Sequence, residues 1–239
     1  MKKKRIFVFL FLINFFIMYQ DTQAAHLEAI LDSPDAPNLV AQLQSKLELE
    51  LQRRRQFYAD IDDDMKAEFI NGDIVIHSPV KKEHTDATGF LFQILNPFVR
   101  LAKLGYVGYE KVMTVLTRND YEPDVVFFGN EKAVNFKKGH WKYPAPDFVV
   151  EVLSDSTESR DRGIKFQDYA AHAVQEYWII DPTEESVEQY FLENDTYKLH
   201  LKAREGRIES RVITGFSVEI RALFDEDHNL AALRKIMQG

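Results

Sequence analysis

The run Phe148–Leu153 is apolar at every position except Glu151. An ionised carboxylate inside such a strand costs several kcal/mol unless a cation or hydrogen bonds compensate it. A hard divalent cation such as Mg²⁺, or Mn²⁺ in its place, takes oxygen ligands and keeps several waters, so one or two carboxylates suffice to hold it. Asp124, in Pro123-Asp124 before Val-Val-Phe-Phe, supplies a second carboxylate at the start of another apolar strand. Asp147 is its rival, since Pro146-Asp147 opens the strand of Glu151 and alternation puts Asp147 and Glu151 on one face. An Asp directly after Pro also suits a residue that satisfies backbone amides. Downstream, Asp161, Lys165 and Tyr169 recur every four residues and share a helix face. An exposed Asp–Lys pair is the plain reading of that spacing. The short turn Ser154–Thr157 instead returns the helix start to the carboxylate end of the sheet, where a lysine can neutralise developing negative charge or position a water.

The elements that must position these residues follow from pattern. Ala67–Ile70 and Asp73–Ile76 flank Asn71-Gly72, which predicts a two-residue type I′ hairpin. Lys82–Lys103 reads as a helix with Leu91, Ile94, Leu95 and Phe98 inward and a kink at Pro97. Strands are expected over Tyr106–Thr117, Asp124–Phe128, Phe148–Leu153 and Tyr177–Ile180, with a helix from Thr157 to Ala173. Val187–Phe191 and Lys198–Leu201 form a hairpin around Glu193-Asn194-Asp195. Arg204–Arg211 reads as polar and exposed, and Phe216–Phe224 closes the domain. Such an order gives an α/β (α+β) fold, a sheet with helices against it. Upstream, Leu39, Leu43, Leu47 and Leu51 form one apolar stripe on a helix that Asn38 can cap. The stripe is expected to dock on the domain or on a second copy, making a homodimer.

Composition narrows the chemistry. The chain has 239 residues, no cysteine and a formal net charge of −8. Lack of cysteine excludes disulfide scaffolds, thiolate zinc sites and cysteine nucleophiles. There is no phosphate loop, no nucleophile elbow and no two-histidine zinc helix. Residues 1–24 contribute four basic and one acidic residue, so the remainder carries −11. Such a body needs a local basic surface or metal ions to approach nucleic acid. Lys2–Arg5, the apolar run Ile6–Tyr19 and Thr22-Gln23-Ala24 read as a secretory signal peptide, too short for a stable membrane span. A start at Met18 is the competing account. The domain reading is therefore 1–24 signal-like, 25–54 linker and amphipathic helix, 55–225 catalytic-type domain, and 226–239 C-terminal tail, its Asp227–Gly239 part a short helix or tail.

Taken in order, Pro123-Asp124, Pro146-Asp147-Phe-Val-Val-Glu151-Val-Leu-Ser154, Asp161-x3-Lys165-x3-Tyr169 and Glu176-Tyr-Trp-Ile-Ile-Asp181-Pro182 resemble the putative restriction endonuclease family of the PD-(D/E)XK nuclease superfamily. The segments Phe57-Tyr58, Glu68 through Pro79, and His84 also match its opening part. This resemblance implies a restriction-endonuclease-like mixed central sheet flanked by helices, here with an N-terminal helical extension. It also implies Mg²⁺-dependent hydrolysis of DNA phosphodiesters, with Asp124 and Glu151 as metal ligands. The superfamily's lysine normally lies two residues after the second acid, where this chain has Leu153. The family places it on the following helix, which points to Lys165. Glu68, able to hold an outer-sphere water, and His84 at a helix start are supporting candidates, with Asp147 and Asp161. A non-catalytic nuclease-like module that binds nucleic acid or protein, exported if the leader is genuine, is the alternative from a different class.

Overall fold

A computed structural model of the chain describes residues 25–62 and 64–238. The signal-peptide reading of residues 1–24 lies outside them. Among the described residues no helix is long and apolar enough to cross a membrane.

The described residues divide into two compact units, one up to Gln56 and one from Phe57 onward. In the first, residues 25–31 are helical and a turn at 32–35 leads into α1 (Ala36–Asp60), which ends in the second unit. Asn38 lies inside α1, its amide bonded to Asp35, so the helix begins earlier than Asn38 as a cap would place it. Leu43, Leu47 and Leu51 are about half exposed, at 50%, 53% and 48%.

The second unit is built on a six-stranded mixed sheet. Its members are β3 (Gly105–Tyr109), β6 (Val125–Gly129), β8 (Phe148–Val152), β9 (Glu176–Asp181), β10 (Ser186–Glu193) and β11 (Thr196–Ala203), in the order β11-β10-β9-β8-β6-β3. A single-turn helix, α3 (Asn130–Ala133), follows β6, and of the neighbouring strands only β8 and β9 run parallel. Their connection carries α4 (Glu158–Asp161) and α5 (Ile164–Ala171), as a parallel crossover requires. One face packs on α2 (Lys82–Ala102), a 3₁₀ turn at Ile220–Leu223 and α6 (Glu226–Gln238), through Leu91, Ile94, Trp178 and Leu223. The other face packs on α5 and on a second sheet, through Val149, Tyr169, Tyr177 and Tyr121. That sheet, in the order β2-β1-β5-β4-β7, contains β1 (Ala67–Ile70), β2 (Asp73–Ile76), β4 (Met113–Val115), β5 (Asp120–Tyr121) and β7 (Lys142–Tyr143).

Several local expectations hold for the stated reasons. Asn71 and Gly72 both have positive φ (51° and 90°), as a type I′ turn needs. Asn194 and Asp195 do the same at the β10–β11 tip (50° and 62°). Others are corrected. Tyr106–Thr117 is two strands, parted where Glu110 takes φ 60°. The helix expected over Thr157–Ala173 is broken at Gly163, where a Cβ would stand 2.6 Å from Ser159 O. Arg204–Arg211 is not simply exposed, because Arg207–Glu209 (β12) pairs with Ser217–Glu219 (β13) and buries Ile208. The C-terminal segment takes the helical form, as α6. Asn229 is buried there and its amide donates to Phe90 O and Ala222 O.

Candidate active site

Antiparallel β6 and β8 pair Val125 with Val150, so one step further the register sets Asp124 opposite Glu151. The Val152 N–H donates to Asp124 Oδ2 at 2.8 Å, fixing that carboxylate against the next strand. His84 Nε2, from the first turn of α2, lies 3.3 Å from the same oxygen, and Lys66 Nζ lies 3.2 Å from Oδ1. Burial works against the charge on Asp124. The His84 hydrogen bond and Lys66 outweigh it and hold the group well below the usual carboxylate range.

Behind this pair stands a second group. Lys165 is 1% exposed, and its Nζ lies 2.9 Å from Glu68 Oε1, 3.1 Å from Glu151 Oε1 and 3.2 Å from Asp161 Oδ1. Tyr169 OH donates to Glu151 Oε1 at 2.8 Å. Although a turn interrupts the helix at Gly163, Asp161, Lys165 and Tyr169 still face one way. Burial opposes the Lys165 charge, and Glu151, Glu68 and Asp161 raise its pKa well above the ordinary lysine value. Burial would raise Glu68 too, but Lys165 and His77 bring it down to about 2. Glu151 goes the other way. Burial raises it and Lys165 offsets that only in part, because Asp161, Asp124 and Glu68 add like charge. Four buried carboxylates thus share Lys165 and Lys66, an excess of negative charge that a further cation relieves.

The donor set fits a hard divalent ion. All four acids offer oxygen; Asp161 Oδ2 is buried and accepts no hydrogen bond among the described residues, and Glu68 Oε2 faces His77 Nε2 at 3.2 Å. No three His, Asp or Glu side chains there form a closed metal cage, which follows from Lys165 standing where Glu68, Glu151 and Asp161 converge. An ion that keeps most of its waters needs fewer protein ligands than such a cage. Asp124 and Glu151 are the pair able to hold it. A cleft of about 140 Å³ lined by Pro79, Lys81, His84, Leu153 and Ser154 leads to His84.

The structure therefore gathers Asp124, Glu151, Lys165, Glu68, His84 and Asp161. It does not gather Asp147, which sits four residues from Glu151, about 13 Å along the strand. Asp147 Oδ2 accepts the Gly129 N–H at 2.7 Å and Oδ1 pairs with Lys132 at 2.6 Å, the work of a residue fastening the start of β8. Sequence reasoning missed Lys66 and His77. Lys66 bridges Asp124 and Glu110 Oε2 (3.0 Å), and His77 Nε2 lies 3.2 Å from Glu68 Oε2. Their one local signal is that both flank the Glu68 hairpin.

A mixed sheet with helices on its face, paired strand-end carboxylates and an adjoining lysine defines the restriction-endonuclease-like class. The family described as "Putative restriction endonuclease" matches residues 33–221, and the chain belongs to it. That match takes in all of α1 and the second unit as far as residue 221. A solved structure described as a putative nuclease belonging to DUF820, from Anabaena variabilis, is similar with a TM-score of 0.61 and 16% identity. The similarity covers 74% of this chain and 96% of that one, and at this identity it speaks for the fold. No curated protein matches the chain.

Proposed function

We propose that the protein is a metal-dependent endonuclease that hydrolyses DNA phosphodiester bonds. The observation that carries this reading is Asp124 facing Glu151 across two strand ends, with Lys165 3.1 Å from Glu151. A bound Mg²⁺ or Mn²⁺ supplies Lewis-acid stabilisation of the phosphate and lowers the pKa of a bound water. Asp124 and Glu151 orient the reacting centre. His84, between the cleft and Asp124, holds a proton more readily than a free histidine; burial opposes this, but the Asp124 hydrogen bond raises its pKa. Lys66, its side chain 19% exposed, offers a cation to phosphate. Lys165 keeps the carboxylates from repelling one another and carries positive charge beside the scissile group. The exposed leucine stripe of α1 supports a homodimer, which would set two such sites on two strands.

One observation favours a non-catalytic module instead. Lys165 is sealed and already shared among three carboxylates, as in a structural core. Incubating the chain with plasmid and linear DNA in Mg²⁺, Mn²⁺ or EDTA, beside Asp124→Ala, separates the two. Metal-dependent cleavage lost in Asp124→Ala is expected. A folded, metal-loaded wild type that leaves both DNAs intact would establish the binding module.

A further inference from the structure

The chain is acidic, yet residues 132–142 contain Lys132, Lys137, Lys138 and Lys142 and no carboxylate. The same turn holds Trp141, which is 47% exposed, whereas the second tryptophan, Trp178, is fully buried. The Trp141 ring is braced. Lys142 Nζ sits 3.2 Å above the Tyr58 ring and 4.5 Å from the Trp141 ring. Tyr58 meets Trp141 edge-on at 6.0 Å, and its OH donates to Asp120 Oδ1 at 2.9 Å. Next to them Tyr143 stacks on Tyr106, with an interplanar angle of 3°. An exposed aromatic ring on such a base costs little to order when a flat partner lies on it.

Register places this turn relative to the buried carboxylates. Met113 pairs with Lys142, Thr114 with Tyr121, and Phe69 with Asp120. Continued past the strand ends, these registers align Lys66, Pro123, Val112 and Trp141 in one row at the sheet end. Lys66 is the lysine on Asp124. Three strand spacings of about 4.8 Å put the ends of the row about 14 Å apart. A stacked strand advancing about 3.4 Å per nucleotide covers that in about four steps.

We propose that the Lys137–Lys142 turn is a subsite for single-stranded nucleic acid. Trp141 stacks on an unpaired base about four nucleotides from the phosphate at Asp124, and Lys137 and Lys138 hold flanking phosphates. The position along the strand rests on the nuclease reading; the binding chemistry, an aromatic platform among lysines, does not. A base locked in a duplex has no free face for the ring, so frayed or single-stranded DNA is the preferred ligand.

The full chain, in EDTA to prevent cleavage, is titrated with fluorescein-labelled oligothymidylate and followed by anisotropy and tryptophan fluorescence. Wild type is expected to bind with its tryptophan emission quenched, since Trp178 is shielded. Trp141→Ala loses the quench and binds about ten-fold or more weakly. Lys137→Gln/Lys138→Gln, at two exposed positions, lowers the slope of log affinity against log salt by about 1.4. No binding by wild type, or Trp141→Ala binding within about two-fold of it, would overturn the subsite. Cleavage by wild type alongside that result would leave the nuclease reading standing. Oligothymidylate binding through Trp141 with DNA cleavage undiminished in Asp124→Ala would support the subsite and sink the nuclease assignment.

Discussion

Lys165→Met tests the charge arithmetic of the buried cluster. Methionine keeps the length of the side chain and removes the cation that lies 2.9–3.2 Å from Glu68, Glu151 and Asp161. Breaking a buried ion pair by removing one partner costs about 3–5 kcal/mol, and here one cation serves three acids. The loss depends on pH. In wild type, Glu68 is held at about 2 against 4.5 for a free glutamate, so it stabilises the fold above 4.5 and loses that contribution as pH falls through 2. In the variant, burial raises Glu151 and Asp161 further, and at Glu68 only His77 still opposes it. The native state then binds more protons than the unfolded chain, and stability falls as pH rises. Urea unfolding followed by circular dichroism should show a deficit of about 3–5 kcal/mol at pH 8 that narrows towards pH 5. A deficit below about 1 kcal/mol, or one unchanged between those pH values, would show that the native cluster is not ionised as described.

Lys66→Met should strengthen Mn²⁺ binding measured by calorimetry, because it removes the cation 3.2 Å from Asp124, while slowing DNA cleavage; unchanged or weaker metal binding would count against its competing with the metal for Asp124. Burial pushes Glu122 up to about 7, so its native form keeps a proton between about 4.5 and 7 and stability falls as pH rises through that window. Glu122→Gln should remove that slope and raise stability at pH 8 by about 1–3 kcal/mol, read from the same urea curves. Leu43→Glu/Leu47→Glu should convert a dimer to monomer in sedimentation; a wild type that sediments as a monomer would dispose of the stripe as an interface.

What the sequence disclosed, it disclosed through local conflict. Glu151 stood out because a charge in an otherwise apolar strand needs a reason, and the four-residue spacing of Asp161, Lys165 and Tyr169 survived the break at Gly163. Asn71-Gly72 was readable because so few residues accept two successive positive φ values. Lys66 and His77 were not readable as site residues, since flanking the Glu68 hairpin is their one local mark and Lys66 meets Asp124 only through the fold. Asp147 carried both readings in the sequence because strand-fastening and metal-binding aspartates share the Pro-Asp pattern, and the fold shows it bonded to Gly129 N–H and Lys132. Arg207–Glu209 looked like loop because a three-residue strand buries only Ile208, too little to show alternation. Glu176 lay just outside the strand expected over Tyr177–Ile180. In the fold it accepts bonds from Trp178, Gln189, Ser210 and the backbone of Arg211 and Val212, a buried carboxyl whose two oxygens are both bonded and which ties the β12–β13 arm to the sheet.

The break at Gly163 divides the labour between parts of unequal stiffness. Glu68 and Glu151 are anchored in sheets whose backbone bonds are shared with neighbouring strands, whereas Lys165 and Tyr169 ride on eight residues joined to the rest by a glycine. Exposing the sealed acids therefore requires a short helix to lift, a sub-global event of lower free energy than parting the sheets. In hydrogen exchange the amides of Ile164–Ala171 should tire first and those of Phe148–Val152 last, so that the cation leaves the cluster while its anions keep their places.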